Sequence, residues 1–310
     1  MTDSQIDLQF GCNSIPKNFS AMFAIAVEQR QYETYILTDE TSESRMEVVP
    51  ERGGVITQWQ IQGDELFYLD VERFKSPDLT VRGGNPILFP ICGNLPDNAY
   101  NHNGQTYSLK QHGFARNMPW KATSQSTDGM ASLTVQLESN EETRSVYPFD
   151  FLVEFSYQLK GTTLTIHQRY TNRSEEPMPF SAGFHPYFLA PNKQQLAIEI
   201  PGNQFENNVT KTTDPFDGQF DFEQDEIDAV FHPVDRQQAQ VVDQSRGLTV
   251  TLDFDPMFTT LVFWTVKGKE FYCLEPWTAP RNALNSKTDL TILPPGETLE
   301  TSVKVIVTKS

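Results

Sequence analysis

Phe151-Leu-Val-Glu-Phe-Ser-Tyr-Gln-Leu-Lys160-Gly-Thr-Thr-Leu-Thr-Ile-His-Gln-Arg-Tyr170-Thr-Asn172 is the stretch whose pattern decides the fold. Val153, Phe155, Tyr157 and Leu159 recur at every second position, and Glu154, Ser156, Gln158 and Lys160 fill the positions between them. A period of two puts successive side chains on opposite faces of a pleated strand, whereas a helical face would repeat near 3.6. Lys160-Gly161 then supplies a turn, and Leu164, Ile166 and Tyr170 resume the apolar face on a second strand. A hairpin with one apolar face must bury it against another layer.

The same alternation recurs at residues 34–38, 45–49, 55–61, 132–138, 248–254, 259–266, 270–274 and 299–307, and Asn103-Gly104 marks a further hairpin. No window carries a long helical period with caps. Aromatic residues make up 12% of the chain, with 22 Phe and 10 Tyr, a composition that suits sheets better than helical bundles. The expected fold is all-β, a large antiparallel β-sandwich with sheets packed face to face. No repeat or composition break divides the chain, so residues 29–310 read as one domain and residues 1–28, with their weak pattern, as an N-terminal extension.

Lys and Arg number 24 against 41 Asp and Glu, a formal charge of −17 over 310 residues. That balance argues against nucleic acid and anionic membranes as partners, since both require a basic surface. A neutral small molecule is not repelled; an anionic one needs a local basic pocket. Three cysteines, Cys12, Cys92 and Cys273, form no CxxC pair and suggest a reducing compartment. The early apolar run Ala21–Val27 is too short to span a bilayer, and the segment before it lacks the basic start of a secretory signal. A cytoplasmic location is expected. The acidic run at 214–228 fails the EF-hand spacing and reads as a solvated loop.

Walker A, GxGxxG and GxSxG motifs are all missing, and the five histidines include no HxH or HxxxH pair. Neither a metal nor any other cofactor is therefore expected. Three segments do place polar groups where plain strands and turns do not need them. In 81–96, paired glycines and three prolines fix an unusual backbone path beginning with Arg82 and Asn85; a rigid crossover with a solvated arginine is the plain alternative. In 111–120, His112 precedes a glycine that permits close approach of a ligand, Arg116 follows, and Phe114 and Trp120 offer flat faces of the kind that pack on sugar rings; a loop histidine beside a packed aromatic is the alternative. Finally, His185 sits between Phe184 and Pro186, and Glu275 ends an apolar strand just before Pro276. A carboxylate among Leu, Pro and Trp either finds a partner, as in a structural ion pair, or is pushed up toward general-base work near neutral pH. His167 falls on the polar face of its strand and is expected in solvent, as is His102 beside its hairpin turn.

Arg82-Gly-Gly-Asn-Pro-Ile-Leu-Phe-Pro90, His112-Gly-Phe-Ala-Arg116, Gly183-Phe-His-Pro-Tyr-Phe188, Cys273-Leu-Glu-Pro-Trp277 and a late Pro295-Gly-Glu297 turn occur in an order that resembles the aldose 1-epimerase, or galactose mutarotase-like, family. That resemblance spans most of residues 30–308 and implies a β-supersandwich that interconverts the α and β anomers of a sugar. It implies Glu275 as general base, His185 as general acid and His112 as an assistant at the ring or a neighbouring hydroxyl. Arg82, Asn85, Arg116 and Asp228, the last in Asp-Ala-Val-Phe, would bind the sugar, a hexose that is either free or phosphorylated. The chemistry asks for these residue types independently. One base and one acid on opposite sides of the ring suffice for ring opening and reclosure, with Glu275 expected ionised and His185 expected protonated, each charge supporting the other. A carbohydrate-binding module without turnover is one alternative, and a glycoside hydrolase or lyase, which needs a second facing carboxylate or a Tyr/His pair, is another. Thr278-Ala-Pro-Arg-Asn-Ala-Leu-Asn285 finds no assignment.

Overall fold

A computed structural model describes residues 22–309. Cys12 and most of the expected 1–28 extension lie outside the described residues. Phe23–Gln29 is a strand, paired antiparallel with Glu33–Asp39, so the first sheet begins inside the stretch that sequence pattern set apart. Its outward residues are half-buried or exposed, which is why its alternation is faint.

The 151–172 hairpin forms as expected. Phe151–Lys160 and Thr163–Asn172 pair antiparallel, and Phe151, Val153, Phe155, Tyr157 and Leu159 are all buried. This hairpin is the middle of an eight-stranded antiparallel sheet. On one side stand Ala131–Glu138 and Lys121–Ser126; on the other, Thr298–Lys309, Leu248–Phe254, Gln238–Asp243 and Leu196–Glu199. A second large antiparallel sheet centres on Glu226–Phe231, Thr260–Val266 and Phe271–Trp277, and a third, of five strands, holds Phe23–Gln29 to Asp64–Glu65. Every strand expected from the alternation is present, and Ala99–His102 with Gln105–Ser108 forms the Asn103-Gly104 hairpin.

The layers meet through aromatic side chains. Phe155 of the central hairpin lies 5.6 Å from Phe184 of the second sheet, and Phe89 lies 5.2 Å from Phe151 (ring centroids). Each such fully buried ring contributes about 1.5–3 kcal/mol of hydrophobic stabilisation. Trp120 joins this core, 5.3 Å from Phe155, and Phe114 stacks on Phe151 at 5.9 Å. Both were expected as faces for a sugar ring; instead the 111–120 loop folds inward and buries Trp120 and half of Phe114 against the hairpin.

His167 is exposed, as expected, whereas His102 is half-buried against Phe149 and Glu176. The acidic run at 214–228 is only partly the solvated loop expected: most of 217–225 is exposed, but Phe222 is buried in the core, the run ends inside the strand Glu226–Phe231, and Asp228 is buried. Cys92 and Cys273 are both free and buried. Among the described residues, no helix is long and apolar enough to cross a membrane.

Candidate active site

Phe271–Trp277 lies between Thr260–Val266 and the short strands at Gly183–Phe184 and Tyr187–Leu189. Its alternation sends Tyr272 and Leu274 into the main core and turns Glu275 and Trp277 toward a cleft on the other side. The cleft encloses about 390 Å³, near the small end of the range for small-molecule sites. A groove of about 460 Å³ flanks the short helix Val71–Lys75, but its walls are largely apolar, Arg30 in it is paired with Glu47, and Glu65 accepts from the backbone N–H groups of Trp59 and Phe67. The chemistry belongs to the smaller cleft.

Glu275 is 1% exposed, and its Oε2 accepts a hydrogen bond from Trp277 Nε1 at 3.2 Å. Its Oε1 stands 3.4 Å from His185 Nε2. The His185 ring stacks on Tyr187 at 4.7 Å with an 8° interplanar angle and meets Trp264 edge-on at 5.6 Å. Its backbone N–H donates to Pro86 O at 3.1 Å, which ties His185 to the same turn that presents Arg82.

His112 lies 5.4 Å from His185 between ring centroids. Its backbone is in the left-handed region at φ 64°, held there by His112 N donating to Gly93 O at 2.7 Å. Gly93 N–H in return donates to His112 Nδ1 at 3.1 Å. With Nδ1 accepting, the neutral ring carries its proton on Nε2, a donor available to the cleft. Gly113 is required next. At φ 69° a Cβ there would stand 2.3 Å from Phe89 O.

Burial sets the protonation of the pair. It pushes the Glu275 carboxyl well above its usual range, with the nearby Asp228 charge adding to the effect. It drives His185 well below the ordinary histidine value, helped by the Arg116 and Arg281 charges, and lowers His112 in the same way. The expected ionised glutamate beside a protonated histidine is therefore corrected. Desolvation is the leading cause at both groups and favours the neutral form of each.

Asp228 opens into the cleft from Glu226–Phe231, where Arg281 Nη2 reaches its Oδ1 and Oδ2 at 2.7 and 2.9 Å, and Asn208 Nδ2 donates to Oδ2 at 2.7 Å. Arg116 also lines the cleft; its Nη2 donates to Gln111 O at 2.9 Å. Arg82 lies at the mouth, exposed, and among the described residues it has no carboxylate partner. Asn85, expected to touch the sugar, is buried behind the lining instead; its backbone N–H donates to Ile56 O at 2.8 Å, and its Oδ1 is without a partner.

Sequence reasoning missed Arg73, Trp264 and Arg281. Arg281 sits in the segment that found no assignment, and only the tertiary path brings it to Asp228. The aromatic walls are Trp264, Trp277 and Tyr187 rather than Phe114 and Trp120. His185, Cys273 and Glu275 place donor atoms within 4.8 Å of one another. Burial holds the Cys273 thiol well above its usual value.

A family model described as Aldose 1-epimerase matches residues 35–305. The solved structure of the Slr1438 protein from Synechocystis sp. PCC 6803 superposes with a TM-score of 0.89 at 43% identity, covering 94% of this chain and 99% of that one. A galactose mutarotase-like protein from Clostridium acetobutylicum shares the fold, with a TM-score of 0.80 at 20% identity over 94% of this chain and 100% of its own. Protein LacX of Lactococcus lactis subsp. lactis is 25% identical over 260 residues, 73% of this chain and 85% of its own length. The "Putative glucose-6-phosphate 1-epimerase" of Escherichia coli K12 is 28% identical over 162 residues, 51% of this chain and 50% of its own.

Proposed function

This chain belongs to the aldose 1-epimerase family, and from that premise we propose that it interconverts the α and β anomers of a hexose by acid–base ring opening and reclosure. The observation that carries the reading is the buried Glu275–His185 pair, 3.4 Å apart at the base of a sugar-sized cleft, with the His112 donor beside it.

The reaction requires one proton on this pair. A base takes the proton from the anomeric hydroxyl while an acid gives one to the ring oxygen; the C1–O5 bond breaks and the open-chain aldehyde forms. Rotation about C1–C2 presents the other carbonyl face, and reclosure reverses both transfers. Glu275 acts as the base and His185 as the acid from the ion-pair form of the couple, which carries the same single proton as the neutral pair that burial favours; ring opening leaves that proton on Glu275, and reclosure returns it to His185. Burial raises the proton affinity of Glu275, which strengthens it as a base once ionised, and keeps bulk water from short-circuiting the transfers. His112 Nε2–H donates to the ring oxygen or an adjacent hydroxyl, Asp228 accepts a sugar hydroxyl, and Arg116 and Arg82 donate to others. Trp264 and Trp277 give the apolar sugar face its walls. No step calls for a metal or nucleotide.

A phosphorylated hexose is the second reading of the substrate, and Arg82 favours it. An exposed guanidinium with no ion-pair partner among the described residues, at the mouth of a cleft also lined by Arg73 and Arg116, is an anion-binding arrangement. Anomer-exchange NMR with D-glucose, D-galactose and glucose 6-phosphate tests both readings. Accelerated exchange of any of them above the spontaneous rate is expected. Binding without acceleration would leave a carbohydrate-binding module, and release of reducing ends from oligosaccharides would replace the reading with hydrolysis.

A further inference from the structure

Arg281 touches more of the candidate site than any role in the proton transfers explains. Its Nη2 donates to both oxygens of Asp228, at 2.7 and 2.9 Å. Its guanidinium carbon lies 5.2 Å from the centre of the Trp277 ring, whose Nε1 donates to Glu275 Oε2 at 3.2 Å. Its aliphatic stem passes over Gly93, where a Cβ would come within 2.4 Å of Arg281 Cγ, and Gly93 N–H is the donor that fixes the His112 ring. One side chain thus contacts Asp228, the indole that orients the candidate base, and the residue that sets the tautomer of His112.

The hydrogen-bond count at Asp228 gives this arrangement a consequence. A carboxylate offers about four acceptor positions. Arg281 occupies one on each oxygen and Asn208 a second on Oδ2, which leaves a single position, on Oδ1, for a sugar hydroxyl. We propose that Arg281 is the positioning residue of this site: it limits Asp228 to one acceptor direction and, through Trp277, holds Glu275 in its reactive orientation. The kinetic side of the proposal rests on the mutarotase reading above.

The same geometry sets the electrostatics. The groups facing Glu275 are His185, Asp228, Arg116 and Arg281, together with the Cys92 and Cys273 thiols and the Tyr187 phenol, which burial keeps in their neutral forms. Asp228 pushes the Glu275 carboxyl up and Arg281 pulls it down, so losing the Arg281 cation raises both apparent titrations of the Glu275–His185 pair.

The test uses Arg281→Met and Arg281→Lys in the full chain. In R281M, kcat/KM should fall about 10- to 100-fold, mostly in kcat, the scale of a misplaced catalytic group, and the whole bell-shaped pH profile should move to higher pH. R281K should return the profile to its wild-type position while leaving kcat low, since an ammonium supplies the charge and donors to Asp228 but not the guanidinium plane over Trp277. An R281M enzyme with kcat within about twofold of wild type and an unmoved profile would overturn the proposal. So would a loss confined to KM, which would make Arg281 a substrate contact. A second readout does not depend on turnover. R281M should lower Tm, and adding D228N should recover most of that loss by removing the carboxylate left without its cation. Additive losses would overturn the coupling. A wild-type chain that exchanges no anomer would remove the functional reading, and the Tm cycle would still decide whether Arg281 holds Asp228.

Discussion

Glu275→Gln is the sharpest test of the proposed chemistry because glutamine keeps almost everything about the side chain except its basicity. The amide oxygen still accepts from Trp277 Nε1, whose bond to Glu275 Oε2 is 3.2 Å, and the side-chain volume is nearly unchanged. Asp228, Arg116 and Arg82 retain their contacts, so substrate binding should persist and KM should move by no more than about threefold. What is lost is the proton acceptor. General acid–base catalysis by a positioned group contributes about 10²–10⁴-fold, so kcat should fall by that factor, a barrier increase of about 3–5 kcal/mol. Stability should not fall with it. Wild-type Glu275 is a buried carboxyl displaced upward by desolvation, and the neutral amide does not carry that penalty. The assay is anomer exchange by NMR at several enzyme concentrations, with the spontaneous rate subtracted, alongside circular dichroism and a thermal melt. A folded E275Q enzyme that keeps more than about a tenth of wild-type kcat would remove Glu275 as the base, because no loss that small matches a missing general base.

Other expectations follow from the same geometry. Arg82→Ala should raise KM for glucose 6-phosphate about 10-fold or more, since a charge-assisted contact contributes about 1.5–3 kcal/mol, while KM for glucose, which loses only a hydroxyl contact, rises less; equal effects in steady-state assays on the two sugars would count against a phosphate at Arg82. The Tm difference between E275Q and wild type should widen as pH rises from about 4.5, the carboxyl's ordinary value. Above that value the unfolded chain releases the Glu275 proton while the folded chain keeps it, so wild type loses stability and the variant does not; melts showing a gap independent of pH would contradict the raised carboxyl. Gly113→Ala should destabilise by about 1–3 kcal/mol and depress kcat, because the φ 69° backbone and Phe89 O leave no room for a Cβ beside His112; a denaturation midpoint equal to wild type would refute that.

The fold was legible because its signal is local. A strand that buries one face shows a period of two whatever lies opposite, and 151–172 shows it over two adjacent strands. The three titratable residues were legible for a different reason: His112, His185 and Glu275 stand in contexts that neither a strand nor a turn requires. Trp120 and Phe114 were misread because composition cannot tell an aromatic that lines a cleft from one that fills a core, and the 111–120 loop turns inward onto Phe151 and Phe155. Arg281 was invisible because its partner, Asp228, lies 53 residues earlier on another strand. The protonation of the Glu275–His185 pair was misjudged because the balance between attraction and desolvation depends on how deeply both groups are buried, and the sequence shows only that their neighbours are apolar.

The overall charge of −17 and the cleft point in opposite directions, and distance decides which one matters. At physiological ionic strength exposed charges are screened beyond about 8 Å, so the acidic surface acts on a sugar only as it approaches. Inside the cleft stand Arg73, Arg82, Arg116 and Arg281 against Glu226, Asp228 and Glu275. With Asp228 engaged by Arg281 and Glu275 favoured in its neutral form, the interior is locally cationic although the protein is strongly anionic. Those cations bear directly on the proposed reaction. A carboxyl buried among Leu, Pro and Trp with no positive neighbours would be so hard to ionise that it could not serve as a base. Arg116 and Arg281 pull Glu275 back toward a working range, while the same charges drive His185 toward release of its proton. The guanidiniums therefore do two things: Arg82 and Arg116 present donors to the substrate, and Arg116 and Arg281 allow a single proton to be exchanged between two groups that burial alone would hold neutral.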